Sequence, residues 1–242
     1  MAIHALQKRF STTTVLDRLT LDVPEGGIFA LIGGNGAGKS TLIKAILDLD
    51  RPDAGEIQIR GVSSRLPEAR RSVAYLPERF WPPDALGVGE FLTWMGRLHG
   101  APNDLATTRT TLAGLDLDPA ILASPIRALS KGMTQKLGLA TILLSQKPLW
   151  ILDEPFSGID PKARALLKTQ WRAARAQGVT LFFTTHQLAD VEALCDAMAI
   201  LHGGTTLFTG PPRACLERFG GHDLETAYLN ALDHAQASST SP

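Results

Sequence analysis

The chain has 242 residues, and its 24 Lys+Arg balance 24 Asp+Glu, so the formal net charge is zero. That balance argues against broad electrostatic binding to nucleic acid or to an anionic membrane. A hydrophobic share of 44% with 20% charged residues excludes wholesale disorder. The two cysteines, Cys195 and Cys215, make neither a metal pattern nor a disulfide framework.

Residues 2–32 read as strands. Leu19, Leu21 and Val23 alternate with polar neighbours, and Pro24-Glu25-Gly26-Gly27 is a turn. Ile28–Ile32 is a short, wholly apolar run, as expected of a strand buried on both faces of a parallel sheet. A glycine-rich loop and a helix over Ser40–Leu49 follow. From Val88 to Leu144 the pattern turns helical, with Phe91, Leu92, Met95 and Leu98 at helical spacing. Pro148–Leu152 reads as a second buried strand and Pro161–Gln177 as a helix opened by proline. Strand Val179–Thr184, helix Leu188–Cys195 and strand Met198–Leu201 complete an alternation that predicts a doubly wound α/β core. Ala235–Pro242 is small and polar and reads as a disordered tail. The longest apolar stretch, Leu137 to Leu152, is broken by Ser145-Gln146-Lys147-Pro148, short of the roughly 20 residues of a membrane span. Met1-Ala2-Ile3-His4 lacks the basic start and apolar block of a secretory signal. The expectation is a cytoplasmic chain that meets a membrane only through another chain.

Gly33-Gly34-Asn35-Gly36-Ala37-Gly38-Lys39-Ser40 fits the phosphate-loop pattern, directly after a strand and before a helix. Glycines there let backbone N–H groups face phosphate oxygens, and the helix N-terminus adds positive potential. Gly33, Asn35, Gly36, Ala37, Gly38, Lys39, Ser40 and Thr41 are therefore the expected phosphate-binding set. Lys39 reaches the β and γ phosphates, and Ser40 offers its hydroxyl to Mg2+. Ile151-Leu152-Asp153-Glu154 ends the second buried strand in two carboxylates. Successive side chains diverge there, so Asp153 suits the Mg2+ shell and Glu154 the attacking water.

With these in place the chain resembles an ATP-binding-cassette (ABC) transporter nucleotide-binding subunit over roughly residues 2–210. Leu129-Ser130-Lys131-Gly132-Met133 resembles the family signature, Ser157-Gly158-Ile159-Asp160 its D-loop, and His186 after Phe183-Thr184-Thr185 its switch histidine. Phe10 stands where the family stacks an aromatic on adenine. Each has a plainer reading beside it: Ser130 as a helix cap, a role the resemblance combines with contact to the γ-phosphate, His186 as a polar residue at a turn and Phe10 as a core aromatic, the last two outweighed by their places after Asp153 and before the phosphate loop. The Ser-Lys-Gly-Met form and Leu224–Leu229 are similar to ABC-2-type drug and antibiotic exporters. The resemblance implies a P-loop NTPase parallel-sheet core, an antiparallel β subdomain, and a helical signature subdomain over about 88–145. It implies a cassette over 1–220 and an extension over 221–242.

It also implies ATP and Mg2+ as cofactors, catalytic roles for Lys39, Glu154 and His186, and two chains per functional unit, as a homodimer or with a paired subunit. Ser130 and Gly132 of one chain would close over ATP held by Lys39 of the other, with Asp160 communicating between them. A separate integral-membrane permease would receive the power stroke, and no nucleic acid is expected. Three positions depart from the family pattern: Lys131 and Met133 in the signature, and Glu78, which replaces a glutamine and could face Mg2+. Phe80 and Trp81, before Pro82-Pro83, either line a groove for the membrane partner or bury in the helical insertion. Lys162, Arg164, Lys168, Arg172 and Arg175 read as a solvated helix face. An importer ATPase shares all this chemistry. A non-transport cassette fits less well, since Lys39 and Ser130 stand too close in the chain to flank a long coiled coil and the sequence holds one cassette.

Overall fold

A computed structural model describes residues 1–102 and 104–239. The chain divides into two compact units, Ser72–Val179 and the remainder, Met1–Arg71 with the segment from Thr180 onward. The first stretch of the remainder holds β1 (Ala2–Phe10), β2 (Thr13–Asp22), β3 (Ile28–Ile32), α1 (Lys39–Ile46), β4 (Ala54–Ile59), β5 (Val62–Ser63) and α2 (Pro67–Arg70). The inserted unit holds β6 (Val73–Leu76), α3 (Val88–His99), α4 (Leu105–Ala113), α5 (Lys131–Leu143), β7 (Leu149–Leu152) and α6 (Pro161–Ala176), with short 3₁₀ turns at Pro119–Ala123 and Ile126–Ala128. The chain then forms β8 (Thr180–Thr185), α7 (Leu188–Leu194), β9 (Ala197–His202), β10 (Thr205–Gly210), α8 (Pro212–Phe219) and α9 (Leu224–Ser239).

In the first unit, β3 runs parallel to β8 on one side and to β9 on the other, and all five of its residues are buried. A strand hydrogen-bonded on both edges and covered on both faces admits only apolar side chains, which is why Ile28–Ile32 has no polar member. Phe29 and Phe182 lie opposite in the ladder with ring centroids 6.0 Å apart. The antiparallel β2-β1-β4-β5 sheet is half-buried instead: on β2, Leu16, Leu19 and Leu21 are buried between exposed or half-buried neighbours. The expected parallel core and antiparallel β subdomain are both present.

Helix α1 stops at Ile46, short of the expected Leu49. Asp48 adopts φ +56, which folds the Leu49 N–H back onto the Lys44 carbonyl at 2.9 Å and closes the helix. The expected tail differs more. Ala235–Ser239 continue α9, whose start is capped by the Asp223 carboxylate accepting from the Thr226 N–H at 2.9 Å. Alanine and glutamine in that last turn have high helix propensity, so a small polar composition did not mean disorder. The rest of that tail, 240–242, lies outside the described residues.

In the inserted unit, β6 and β7 pair in parallel from Val73↔Leu149 to Leu76↔Leu152. The elements between 88 and 143 are helical, as expected. Three of the loops supply a side-chain cap: Asp104 accepts from the Thr107 N–H at 2.7 Å, Asp118 from the Ala120 N–H at 2.8 Å and Ser130 from the Met133 N–H at 3.2 Å. The buried face of α3 is Val88, Phe91, Leu92 and Gly96, while Leu98, expected in that stripe, is exposed. On α6 the buried stripe is Ala163, Leu167, Trp171 and Ala174, with Trp171 against Phe156 at 4.9 Å. Helix α5 is buried nearly all round from Gln135 to Ile142. Close packing there needs Gly138, where a Cβ would stand 2.6 Å from Leu76 Cδ1 and 2.9 Å from Phe80 Cδ1. Gly138→Ala gains about 1 kcal/mol of helix propensity against ~1–3 kcal/mol of overpacking. A lower urea midpoint than wild type is the expected result of equilibrium unfolding.

Candidate functional site

The phosphate loop leaves the end of β3 through a close approach. A Cβ on Gly33 would lie 2.6 Å from the Leu201 carbonyl oxygen of β9, so the position accepts glycine alone. Gly38, with φ +107, is equally constrained: a Cβ would meet Leu16 Cδ2 at 2.9 Å and the Val15 oxygen at 3.0 Å. No side chain caps α1, and its first turn carries no acidic residue. The opening N–H groups at Lys39, Ser40 and Thr41 thus form an anion receptor with the positive end of the helix behind it. Lys39 Nζ donates to the Gly33 carbonyl at 2.6 Å and the Gly34 carbonyl at 3.2 Å, which holds the ammonium over the loop. The Ala37 N–H closes the turn on the Gly34 oxygen at 3.2 Å.

Strand pairing sets what stands beside this loop. Ile32 lies opposite Thr185, so Gly33 and His186 leave adjacent parallel strands at one level. Open α/β sheets bind ligands at such carboxyl ends. His186 is exposed and lines a cleft of about 290 Å³ with Gln187, Leu188, Ala189, Glu192, Asp223, Leu224 and Glu225. Phe10 ends β1 with 46% of its surface exposed and Lys8 Nζ 5.0 Å from its ring centroid, so it is not a core aromatic.

The inserted unit repeats the arrangement with carboxylates. Leu76 lies opposite Leu152, so Asp153 directly, and Glu78 two residues on, continue from the ends of paired parallel strands. The Asp153 N–H donates to the Leu76 oxygen at 2.9 Å, and its side chain is buried. Burial, together with the Asp153 charge, pushes the neighbouring Tyr75 phenol up to about 12. Glu154 is only half-buried and sits at φ +47, a left-handed backbone that costs a non-glycine residue ~1 kcal/mol or more. The two adjacent carboxylates therefore occupy different environments.

Ser130 is exposed at the start of α5, where its hydroxyl caps the helix. A Cβ on Gly132 would stand 3.3 Å from the Gly158 oxygen, so the signature turn lies against the D-loop turn. Asp160 caps α6 by accepting from the Ala163 N–H at 2.9 Å, and its other oxygen meets Lys136 Nζ at 2.8 Å. These two bonds hold its carboxyl down at about 2. The stabilisation is therefore present above the usual carboxylate range and is lost as pH falls toward 2. Lys136 is buried, contacts Asp116 as well, and joins the signature helix to the D-loop. The sequence places Lys136 just after the signature, in Gln135-Lys136-Leu137, but carries no local signal of this bridging role.

Glu78, Arg79, Phe80, Trp81, Lys131 and Gln135 line part of a second cleft of about 530 Å³. The two aromatics differ in role. Phe80 packs on Phe91 with centroids 6.0 Å apart, whereas Trp81 is 83% exposed. On the expected basic face of α6, Arg164 lies 5.1 Å from the Phe156 ring centroid and Lys162 pairs with Asp116 at 2.6 Å.

No described helix is long and apolar enough to cross a membrane. A profile of the ABC transporter family matches residues 16–157. The chain is similar to Nod factor export ATP-binding protein I of Ralstonia nicotianae, 34% identical over 96% of this chain and 73% of that one. The protein of the same name from a Rhizobium species is also 34% identical, over 94% of this chain and 79% of that one. Among solved structures, an ATP-binding subunit of an ABC transporter superposes with a TM-score of 0.87 at 34% identity, covering 96% of this chain and 98% of that one. A dimeric ATP-binding cassette bound to ADP and Pi shares the fold, with a TM-score of 0.77 at 18% identity over 87% of this chain and 97% of that one. Phosphate loop, signature turn and family match converge: the chain belongs to the ABC transporter family, as one of its ATP-binding, ATP-hydrolysing cassettes.

Proposed function

We propose that this cassette powers export through a separate membrane chain, and that two cassettes close around ATP to do so. The observation that carries this reading is the pairing, in one chain, of a complete phosphate loop with an exposed signature serine that its own cap leaves turned to solvent. Relatives named for Nod factor export support the direction of transport.

Lys39 grips the β and γ phosphates, and the N–H groups from Gly33 to Thr41, with Asn35 and Gly36 at the tip, cradle them. The exposed Phe10 ring stacks on the adenine. Ser40, Asp153 and Glu78 are each hard oxygen donors of the kind Mg2+ takes, and Asp153 and Glu78 extend from one end of a strand pair. Mg2+ supplies charge neutralisation on the phosphates when bound. Glu154 polarises the attacking water, and His186, beside the loop at the β3–β8 strand ends, holds water and γ-phosphate in line. Ser130 and Gly132 close over the partner's nucleotide. Asp160, fixed to Lys136, carries the state of that site back to its own signature helix. Trp81 anchors the membrane partner.

Glu154→Gln should keep ATP binding and lose turnover by on the order of 10²-fold or more. It should also accumulate a MgATP-dependent dimer, visible by light scattering. Turnover near wild type would show that another group positions the water.

The shared site makes a stricter demand. Lys39→Ala and Ser130→Phe are each expected to be inactive, but mixing them creates heterodimers with one doubly damaged and one intact site. Random pairing of independent sites restores on the order of a quarter of wild-type ATPase, and nucleotide trapping should report one site per mixed dimer. No recovery in verified heterodimers would reject the shared site.

Trp81→Ala should cut transport or complex assembly while basal ATPase and melting temperature stay at wild-type values. A large drop in the melting temperature of the isolated chain would place Trp81 in the core instead.

A further inference from the structure

Helix α9 lies beyond the segment matched to the ABC family and is built as a fixed element. Gly220 at φ +73 and Gly221 at φ +119 turn the chain sharply after α8. A Cβ on Gly221 would stand 3.0 Å from the Ala227 nitrogen, so the turn closes directly onto α9. Asp223 then caps the helix, accepting from both the N–H and the hydroxyl of Thr226 at 2.9 and 2.7 Å. Asn230 Nδ2 donates to the Phe219 oxygen at 2.9 Å, which ties α9 to α8, and Phe219 meets Phe208 of β10 with ring centroids 6.0 Å apart. The helix is thus anchored to the sheet through α8.

Its other neighbour is α7, which begins two residues after His186. The side of α9 turned inward carries Leu224, Ala227 and Ala231, each at most 2% exposed. Leu224, the first residue of the helix, also lines the 290 Å³ cleft that His186, Gln187 and Leu188 line. A small, partly open cleft at this point means that the switch turn has room to shift and that the α9 start limits the shift from one side. Ala227 and Ala231 bring little bulk to that limit, so the large Leu224 side chain sets it.

We infer that Leu224 is a positioning residue for His186: the anchored start of α9 holds the turn between β8 and α7 so that the imidazole meets the γ-phosphate in line. The inference rests on the proposed role of His186. It concerns the chemical step rather than nucleotide affinity, because no phosphate-loop residue lines this cleft.

The test is steady-state and single-turnover ATPase of the full chain. Leu224→Ala should lower kcat about tenfold with KM for ATP within about twofold, Leu224→Met should restore kcat, and Leu229→Ala, exposed on the same helix, should change neither. On a His186→Ala background, Leu224→Ala should have no further effect on the single-turnover rate. Should Leu224→Ala fold poorly, Leu224→Val must show the same kcat-selective loss at smaller size. Wild-type kcat in Leu224→Ala, beside a dead His186→Ala, overturns the positioning role and leaves that of His186 standing. Additive losses in the double variant, or equal changes in kcat and KM, also overturn it. An active His186→Ala removes the histidine's role and the inference together.

Discussion

The approach of Gly33 to the Leu201 carbonyl is the constraint on which the site depends. Five buried apolar residues lock β3 between β8 and β9, and the chain must leave that strand within one residue without striking β9. Only a residue without a Cβ does so, and the loop that follows is thereby aimed over the carboxyl end of the sheet. The positive end of α1, the Lys39 ammonium and His186 then share that edge because β3, α1 and β8 are consecutive or paired there. Core burial and phosphate chemistry are in this sense one arrangement: a strand buried along its whole length also sets the direction of the loop.

The inserted unit solves a different problem, which is to hold polar groups rigidly at an edge. Its loops carry short capping side chains at Asp104, Asp118, Ser130 and Asp160, each of which accepts one of the opening N–H groups of the helical element it precedes. Asp160 does more than cap. With Lys136 on its second oxygen, it binds the D-loop turn to the signature helix through a charge-assisted contact of 2.8 Å. Because Lys136 is buried, removing Asp160 would leave its ammonium with the longer contact to Asp116, so the pair resists separation. The signature turn and the D-loop turn are expected to move as one body.

The departures from the family pattern become intelligible by position. Lys131 is exposed at the first residue of α5, where a long side chain meets no obstacle. It lines the same cleft as Glu78, so the added cation and the added carboxylate lie around one space. Nothing in the structure explains why methionine stands at 133.

The phosphate loop, the paired carboxylates and the signature were legible in the sequence because each depends on local order: glycines at fixed spacing, acids ending an apolar run, a cap opening a helix. Buried strands were legible for the same reason, since burial on two faces excludes polar residues from a contiguous stretch. Helix ends were less so. The stop of α1 depends on Asp48 entering a left-handed conformation, and the continuation of α9 depends on a cap and a neighbour that composition does not register. The partition of Phe80 and Trp81 was also beyond sequence, because adjacent aromatics separate only when Gly138 and Phe91 offer one of them a place to pack. Nothing local marks Lys136 as a bridge; Asp116 and Asp160 come from distant loops to pair with it. What the sequence determined by itself was chemistry carried by neighbours along the chain. What tertiary structure alone decided was which groups lie opposite one another at the strand ends and helix starts, because register and packing bring together residues that no local pattern connects.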